Sequence, residues 1–350
     1  MVDAIEVAGQ RIGRGQPCFV IAEAGVNHNG SIEAALQMVE LAEKAGADAV
    51  KFQTFRAEQL VTSGAPKAQY QLRYTSATES QYEMLRRLEL APSAYGRLID
   101  CCRERGILFL SSPFDEQSAG LLYDLGVPAF KIPSGEITNL PLLEHIGRYQ
   151  RPMIVSTGTA CLNEVETAVD TIAECGNREI ILLHCVSCYP ANAQDVNLRA
   201  MHTMAAAFGL PVGYSDHTLG MEIALAAVAL GACVLEKHFT LDRSLPGPDQ
   251  ATSLDPVEFT TMVKAIRSVE AALGHGRKEP AASEADAAAV VRKSLVAAAD
   301  IPAGTKITED VISMKRPGTG LPPAARAQVM GRIARSNIAA GTLLSWDLLA

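Results

Sequence analysis

Residues 212–239 read VGYSDHTLGMEIALAAVALGACVLEKHF, and the fold prediction rests on this stretch. Two short apolar runs, 212–216 and 234–239, enclose an apolar segment that predicts a buried helix. Both runs are nearly continuous rather than alternating, as in parallel strands that are covered on both faces. The stretch therefore predicts a strand–helix–strand unit in which His217 and His238 mark the two strand ends.

Apolar runs of this kind recur along the first 240 residues. The predicted strands are 19–26, 49–55, 108–114, 129–136, 153–158, 180–186, 212–216 and 234–239. Helical patterns separate them, and Asn163 with Glu166 and Asp255 with Glu258 predict two capped helix starts. Eight strands alternating with helices predict a (β/α)8 TIM barrel. The long gap after the second strand predicts an insertion, 57–88, at the active-site face.

The composition changes after the predicted barrel, which predicts a second domain. We predict a barrel domain over 1–275, an alanine-rich linker over 276–289 and a small domain over 290–350. Segments 300–311 and 337–348 of the small domain share the pattern Ile-x-Ala-Gly-Thr-x-apolar-hydroxyl-x-Asp-apolar. Two copies at an offset of 37 residues predict a small core with approximate twofold symmetry.

Charge and cysteine content exclude several classes of function. The net charge of -8 argues against a surface for nucleic acid or an anionic membrane. The N-terminus has no signal-peptide pattern, and the eight cysteines lack disulfide-scaffold spacing, so we expect a cytoplasmic protein. Cys185 and Cys188 form a C-x-x-C pair, but the pair does not open a helix after a first strand, as a thioredoxin-type motif would.

Every predicted strand ends in polar residues, and in a barrel those ends form the catalytic face. These residues are Glu23, Asn27, Lys51, Gln53, Thr54, Ser111, Ser112, Lys131, Ser134, Glu136, Ser156, Thr157, Ser187, Tyr189, Ser215, Asp216, His217, Glu236 and His238. Strands also end in polar residues wherever they reach solvent, which accounts for any one of these positions. It accounts poorly for all eight strands together.

Two lysines, Lys51 and Lys131, lie inside apolar runs, where a charge needs a partner. One interpretation is a pair of salt bridges to Glu23, Glu136 or Glu236. Another is a phosphate site, in which the lysines supply charge and Ser112, Ser134, Ser156 and Ser215 supply hydroxyl donors. A Schiff-base lysine of an aldolase is the third.

The two histidines admit three interpretations. Each alone fits a hydrogen-bonded core imidazole, and the pair fits general acid–base catalysis without a metal. Together with the neighbouring carboxylates, His217 and His238 favour a divalent cation of the Mn²⁺ or Mg²⁺ type. After the last strand, Asp249 lies in a Gly-Pro-Asp turn that would suit sugar hydroxyls or would be an ordinary solvated turn.

Taken together, these segments resemble the bacterial sialic acid synthases, the phosphoenolpyruvate-dependent nonulosonate synthases. The resemblance covers essentially the whole chain, and the small domain is similar to the family's antifreeze-like (SAF) domain. The matching segments are 21–30 (IAEAGVNHNG), 51–54 (KFQT), 130–136 (FKIPSGE), 156–158 (STG), 213–218 (GYSDHT), 236–240 (EKHFT) and 315–318 (KRPG).

The resemblance implies a reaction. Phosphoenolpyruvate condenses with the open-chain aldehyde of an N-acetylated mannosamine-type sugar, water adds to the pyruvyl carbon, and phosphate leaves by C–O cleavage. It also implies roles for the polar residues. Mn²⁺, with Mg²⁺ and Co²⁺ as alternatives, would bind His217 and His238; phosphoenolpyruvate would bind Lys51, Lys131, Ser112, Ser134, Ser156 and Ser215; Glu23 and Glu136 would transfer protons; Gln53, Ser187, Tyr189 and Asp249 would contact substrate.

In the family that the chain resembles, two protomers pair so that the small domain of one caps the barrel of the other. The resemblance therefore implies a domain-swapped homodimer in which Arg316 reaches the neighbouring sugar site. Ser187, Phe52 and Ser112 depart from residues found in some relatives, which leaves the sugar open. N-acetylmannosamine, giving N-acetylneuraminate, is our first prediction, and the precursor of N,N'-diacetyllegionaminate is the alternative. A Schiff-base aldolase and a carbohydrate- or ice-binding module are the remaining hypotheses.

Overall fold

The computed structural model describes residues 2–76 and 78–350, which form two compact units, 1–274 and 275–350. The first unit begins with an antiparallel hairpin of β1 (Ala4–Val7) and β2 (Gln10–Gly13). Eight further strands follow. They are β3 (Phe19–Gly25), β4 (Ala49–Thr54), β5 (Leu108–Pro113), β6 (Phe130–Ile132), β7 (Met153–Ser156), β8 (Ile180–Cys185), β9 (Val212–Asp216) and β10 (Val234–His238).

These eight strands form one parallel sheet in the order β5-β4-β3-β10-β9-β8-β7-β6. The outermost two, β5 and β6, also pack side by side, so the sheet curls into a barrel and the prediction of a TIM-type fold is confirmed. Inward-facing residues such as Ile21, Leu110 and Ile181 fill the barrel. A larger core separates the strands from the surrounding helices, which explains why the strand sequences are apolar on both faces.

Helices connect successive strands and cover the barrel. In the first unit they are α1 (Ile32–Lys44), α2 (Ala57–Leu60), α3 (Gln69–Tyr74), α4 (Gln81–Leu88), α5 (Pro92–Arg105), α6 (Glu116–Asp124), α7 (Leu140–Gly147), α8 (Leu162–Glu174), α9 (Ala200–Phe208), α10 (Glu222–Ala229) and α11 (Pro256–Leu273). None of the helices in the described part of the chain combines the length and the hydropathy of a membrane-spanning segment.

Two local predictions are wrong in their bounds. The fourth strand was expected over 129–136, but it ends at Ile132 because Pro133 cannot donate to the ladder, and Ser134–Glu136 forms a 3-10 turn. The start of α8 lies two residues earlier than predicted, and Glu164 accepts a hydrogen bond from the backbone nitrogen of Cys161. The start of α11 agrees with prediction, since Asp255 caps it with Glu258 at the third position.

The predicted insertion after β4 contains the three short helices α2, α3 and α4. Ser80 and Glu83 form a reciprocal capping box at the start of α4, which places Met84 and Leu88 on one buried face. Buried Lys67 donates to Glu79 (2.9 Å) and to the carbonyl of Ser76 (2.6 Å), so the turn before α4 is held from inside.

The second unit has its own apolar core around Leu295, Ile307 and Leu344. Its elements are α12 (Ala285–Val291), β11 (Ser294–Ala297), β12 (Ile312–Lys315) and α13 (Arg326–Val329). The segment predicted as a linker, 276–289, belongs to this unit and includes most of α12.

The two repeats of the second unit pair symmetrically. Ile301 and Ile338 exchange backbone hydrogen bonds of 2.8 and 2.9 Å. Asp300 Oδ1 accepts from Ala340 N, and its equivalent Asn337 Oδ1 accepts from Ala303 N, both at 2.8 Å. Ile301 and Ile338 are separated by the 37-residue offset, and the other two contacts are exchanged by it, since it relates Asp300 to Asn337 and Ala303 to Ala340. This is the pattern expected for a core with approximate twofold symmetry.

Candidate active site

A cavity of about 340 Å³ lies at the carboxyl ends of the barrel strands. Thirteen of the predicted site residues line it. They are Glu23, Lys51, Gln53, Ser112, Lys131, Ser134, Ser156, Ser187, Tyr189, Ser215, His217, His238 and Asp249. The parallel arrangement brings these residues together because every strand of the barrel presents its carboxyl end to the same face.

Lys51 lies at the centre of a buried ion-pair network. Its Nζ is 2.8 Å from Glu23 Oε2 and 3.7 Å from Glu236 Oε2, and it donates to Ser112 Oγ at 3.2 Å. Burial raises the pKa of Glu23, although Lys51 opposes this effect. The two carboxylates more than offset the burial of Lys51 and raise the pKa of its ammonium group, so it stays charged at neutral pH.

Lys131 occupies the other side of the same network. Its Nζ donates to Ser156 Oγ (2.6 Å) and to the carbonyl of Ile132 (3.1 Å), and it is 3.7 Å from Glu236 Oε1. Glu236 also accepts from Ser215 Oγ at 2.8 Å. Burial disfavours ionisation of Glu236, but Lys131 and then Lys51 outweigh it and lower its pKa, so this carboxylate bridges the two lysines.

A close approach of backbone to side chain shapes the floor beside Lys131. Gly158 N donates to Ser134 Oγ at 3.0 Å. A Cβ added at Gly158 would lie 2.2 Å from Ser187 Oγ and 2.8 Å from Ser134 Oγ, so only glycine fits there. Cys185 Sγ lies 3.0 Å from Ser134 Oγ behind this floor. Cys185 is therefore a packing neighbour of a hydroxyl that lines the cavity.

The two predicted ligand histidines are adjacent at the ends of β9 and β10. Their ring centroids are 5.4 Å apart. Burial lowers the pKa of both, and for His238 the neighbouring His217 lowers it further, so both imidazoles are neutral at pH 7. His217 Nδ1 is 2.7 Å from the carbonyl of Val186, which assigns the proton to Nδ1 and leaves Nε2 as a free electron-pair donor.

These histidines fit an open metal site rather than a closed one. His238 Nδ1 is buried without a hydrogen-bond partner within the described chain, as is Glu236 Oε2. No group of three or more His, Cys, Asp and Glu side chains among the described residues is arranged to hold a metal. Two neutral imidazoles could therefore offer two ligands to a divalent cation, and oxygen atoms from outside the chain would have to complete its shell.

An aromatic stack borders the histidines on the side of the insertion. Tyr189 lies 4.3 Å from the ring of His217, and Tyr70 of α3 lies 4.9 Å from Tyr189. Nearby Asp249 is buried, its Oδ1 has no partner within the described chain, and burial raises its pKa to about 6. Gln53 Nε2 is 3.4 Å from Glu23 Oε1 and connects this side to the lysine network.

Comparisons with known proteins identify the family of this chain. The model of the NeuB family matches residues 38–278, and that of the SAF domain matches residues 292–350. The chain belongs to the NeuB family. The predicted resemblance to nonulosonate synthases, and the prediction of an enzyme of that transferase class, are thereby confirmed.

Individual relatives of this NeuB-family protein extend over nearly its whole length. The N,N'-diacetyllegionaminic acid synthase of Legionella pneumophila is 48% identical over 96% of this chain and 95% of its own. The enzyme of the same name from Campylobacter jejuni is 47% identical over 91% and 96%. The solved structure of an N-acetylneuraminic acid synthetase from Leptospira borgpetersenii superimposes with a TM-score of 0.72 at 38% identity, covering 81% of this chain and 94% of that chain.

Two predicted site residues of the NeuB-family chain lie elsewhere. Glu136, expected to transfer protons, is not among the residues that line the cavity; its Oε2 accepts from Asn139 Nδ2 at 2.7 Å. Glu136 belongs to the 3-10 turn Ser134–Glu136 that follows Pro133, beyond the end of β6. Arg316 belongs to the second unit, where its side chain is exposed and its Nε donates to the carbonyl of Val291 at 2.9 Å.

Sequence reasoning also missed residues that line the cavity. Glu236 was considered only as one of three possible salt-bridge partners of the lysines and was not assigned to the site, although it lies buried between both lysines. The alternation of inward and outward positions on β10 could have indicated this, since Glu236 and His238 are two residues apart. Tyr70, Gln71 and Gln81 come from the insertion, where no pattern distinguished them.

Proposed function

We propose that this protein condenses phosphoenolpyruvate with 2,4-diacetamido-2,4,6-trideoxy-mannose to form N,N'-diacetyllegionaminate and inorganic phosphate. The observation that carries the proposal is the pair of buried lysines, Lys51 and Lys131, facing two neutral histidines across one cavity. The sugar follows the names of the relatives at 48% and 47% identity, which favour our alternative over the first prediction, N-acetylmannosamine.

Phosphoenolpyruvate would bind at the lysine network. Its phosphate and carboxylate carry negative charge, and Lys51 and Lys131 are the cations of the cavity floor. The hydroxyls that already contact these lysines, on Ser112 and Ser156, would donate to the same anion. In the unliganded chain Glu23 and Glu236 balance the two charges, so an incoming anion exchanges one set of partners for another.

Glu23 is the best-placed group for proton transfer. A carboxyl group whose pKa is raised toward neutrality can hold a proton or release it at working pH. Its position between Lys51 and Gln53 would let it orient the water that attacks the pyruvyl carbon. Because Glu136 faces Asn139 instead of the cavity, we assign it no step.

His217 and His238 would hold the divalent cation, for which we propose Mn²⁺. When bound, the ion polarises the aldehyde oxygen of the open-chain sugar as a Lewis acid. The hydrogen bond from His217 Nδ1 to the carbonyl of Val186 fixes that ring so that Nε2 is available as a ligand. Gln53, Tyr189 and Asp249 would accept or donate hydrogen bonds along the sugar.

The assembly and location of the protein are also part of the proposal. A homodimer in which Arg316 acts on the site of the other protomer would give this exposed side chain a role. All eight cysteines are free thiols, which supports a cytoplasmic location.

A Schiff-base aldolase remains the alternative from a different enzyme class. Burial lowers the pKa of Lys131, which would favour a nucleophilic amine. However, Lys131 Nζ is engaged by Ser156, by a carbonyl and by Glu236, which suits a fixed cation better.

Phosphate release from phosphoenolpyruvate tests the proposal. With Mn²⁺ present, 2,4-diacetamido-2,4,6-trideoxy-mannose and N-acetylmannosamine are offered in parallel, each with and without EDTA. We expect chelator-sensitive turnover with a kcat/KM at least about tenfold higher for the diacetamido sugar, the discrimination that one or two buried substituents provide. A higher kcat/KM for N-acetylmannosamine would restore our first prediction, and borohydride-trapped enzyme would favour the aldolase.

A further inference from the structure

The insertion 57–88 contributes eight residues to the lining of the cavity. Four of these, all apolar, pack together with two apolar residues from the loops after β3 and β5 that also line the cavity. We call this set the apolar wall; it comprises Val26, Leu60, Met84, Leu85, Leu88 and Phe114. The apolar wall lines the same cavity as the lysines and the histidines.

The apolar wall is built before any ligand arrives. Met84 and Leu88 are fully buried and form a separate small core with Val26 and Phe55, against which Leu60, Leu85 and Phe114 pack. Two contacts hold the turn that precedes α4. Glu79 accepts from the buried Lys67 (2.9 Å) and from Arg87 Nη1 (2.7 Å). The wall is therefore a preformed apolar surface.

The insertion also contributes polar side chains to the cavity, and none of its described lining residues is charged. Beside the wall, Gln71 and Gln81 present amides, and Gln81 Nε2 lies 3.5 Å from Gln71 Oε1. Amides next to alkyl side chains match acetamido groups, which combine an amide with a methyl group. None of the described residues that the insertion contributes to the lining is a cation that could pair with a phosphate, and a hydroxyl placed against the alkyl side chains would lose its water.

The aldehyde carbon of an open-chain sugar must reach the histidines and the phosphoenolpyruvate site. The far end of the hexose would then extend away from these residues, and the apolar wall is the part of the lining that we assign to it. We propose, resting on the function proposed above, that the apolar wall selects sugars with a 6-deoxy end and an additional acetamido group, and rejects 6-hydroxyl and 6-phosphate sugars.

Leu85 provides the test because it lines the cavity and is only partly buried. Leu85→Gln would introduce an amide into the wall at nearly constant size, and Leu85→Met is the conservative counterpart. Leu72→Gln makes the same chemical change on α3, at an exposed leucine that does not line the cavity. The sugars are 2,4-diacetamido-2,4,6-trideoxy-mannose, N-acetylmannosamine and N-acetylmannosamine 6-phosphate.

We expect the wild type to prefer the diacetamido sugar and to use the 6-phosphate least. Leu85→Gln should lower the kcat/KM ratio of diacetamido sugar to N-acetylmannosamine roughly tenfold, the effect of one altered group in a hydrophobic pocket. Leu85→Met and Leu72→Gln should keep the wild-type ratio. A Leu85→Gln variant that loses activity equally on both sugars would overturn the selective role of the wall.

Binding of each sugar to the phosphoenolpyruvate-loaded protein, measured by calorimetry in EDTA, separates this proposal from the proposed function. If turnover occurs but the ratio and the binding preference do not change in Leu85→Gln, the function stands and the wall proposal fails. If no sugar is turned over, yet the diacetamido sugar binds tighter and Leu85→Gln abolishes that preference, the wall proposal stands and the function fails.

Discussion

Single residues of this protein act through charge that is buried and compensated. Lys51, Lys131, Glu23 and Glu236 are each at most 5% exposed, and their two positive and two negative charges neutralise one another. The sequence was sufficient to predict that Lys51 and Lys131 belong to a site, because a lysine inside an apolar run is costly unless it is paired. The partners of these lysines could not be predicted, since Glu136 and Glu236 were equally possible from the sequence. Only the structure shows Glu136 in the turn after Pro133, where it accepts a hydrogen bond from Asn139.

At this scale, Lys131→Met should impair phosphoenolpyruvate use selectively. Removing one partner of a buried charged hydrogen-bond network typically costs about 2–5 kcal/mol, so kcat/KM for phosphoenolpyruvate should fall about 30-fold or more. The variant is compared in steady-state kinetics with Lys44→Met, which removes an exposed lysine paired with Glu40 on α1. Kinetics of Lys131→Met within threefold of the wild type would mean that this lysine does not hold the anion.

Among the elements, β9 and β10 position both histidines and Glu236 at their carboxyl ends. Their sequences could be assigned because continuous apolar strands and a connecting helix leave few alternatives. The exact bounds of other elements could not be predicted, as the early end of β6 and the shifted start of α8 show. The helices of the insertion also escaped prediction, since short helices depend on tertiary contacts such as the Lys67–Glu79 pair more than on local sequence.

The two strands share a buried ion pair directly beside the histidines. Asp216 and Lys237 are register partners with fully buried side chains 2.7 Å apart. Lys237 also donates to the carbonyl of Thr218, and Asp216 accepts from both the backbone nitrogen and the hydroxyl of Thr218. The pair thereby ties the ends of β9 and β10 together.

A double-mutant cycle measures this pair. Lys237→Met leaves a buried carboxylate uncompensated and should lower the free energy of unfolding by about 3–5 kcal/mol. Adding Asp216→Asn should recover part of that loss, whereas Arg267→Met, at a half-buried ion pair with Asp48, should cost clearly less. Urea denaturation of the metal-free variants gives the values. Strictly additive effects of Asp216→Asn and Lys237→Met would show that the two residues are not coupled.

Across the whole molecule, the barrel and the second unit each have a core of their own, and the repeat symmetry explains how a chain of about 75 residues folds around one. The sequence repeat was sufficient to predict that symmetry. The residues alone could not predict an assembly, because Arg316 is exposed and a contact with a second protomer would depend on the shapes of two surfaces.

Subunit mixing tests whether Arg316 acts across a dimer. Arg316→Ala and Lys131→Met should each be nearly inactive alone. In mixed dimers, one site combines an intact Lys131 with an intact Arg316, so mixing and reassembly should restore up to about a quarter of wild-type activity. The recovery is read as phosphate release after co-refolding. Equal inactivity of the mixture and of the separate variants would place Arg316 outside the neighbouring site.

The central claim is that this cavity cleaves the C–O bond of phosphoenolpyruvate during condensation with a sugar. The most direct measurement uses phosphoenolpyruvate labelled with ¹⁸O in the bridging position, with Mn²⁺ and 2,4-diacetamido-2,4,6-trideoxy-mannose, and follows the label by ³¹P NMR. The account predicts that the released phosphate retains the label, that release requires the sugar, and that EDTA abolishes it. Label remaining in the carbon product, or phosphate release without a sugar, would contradict it.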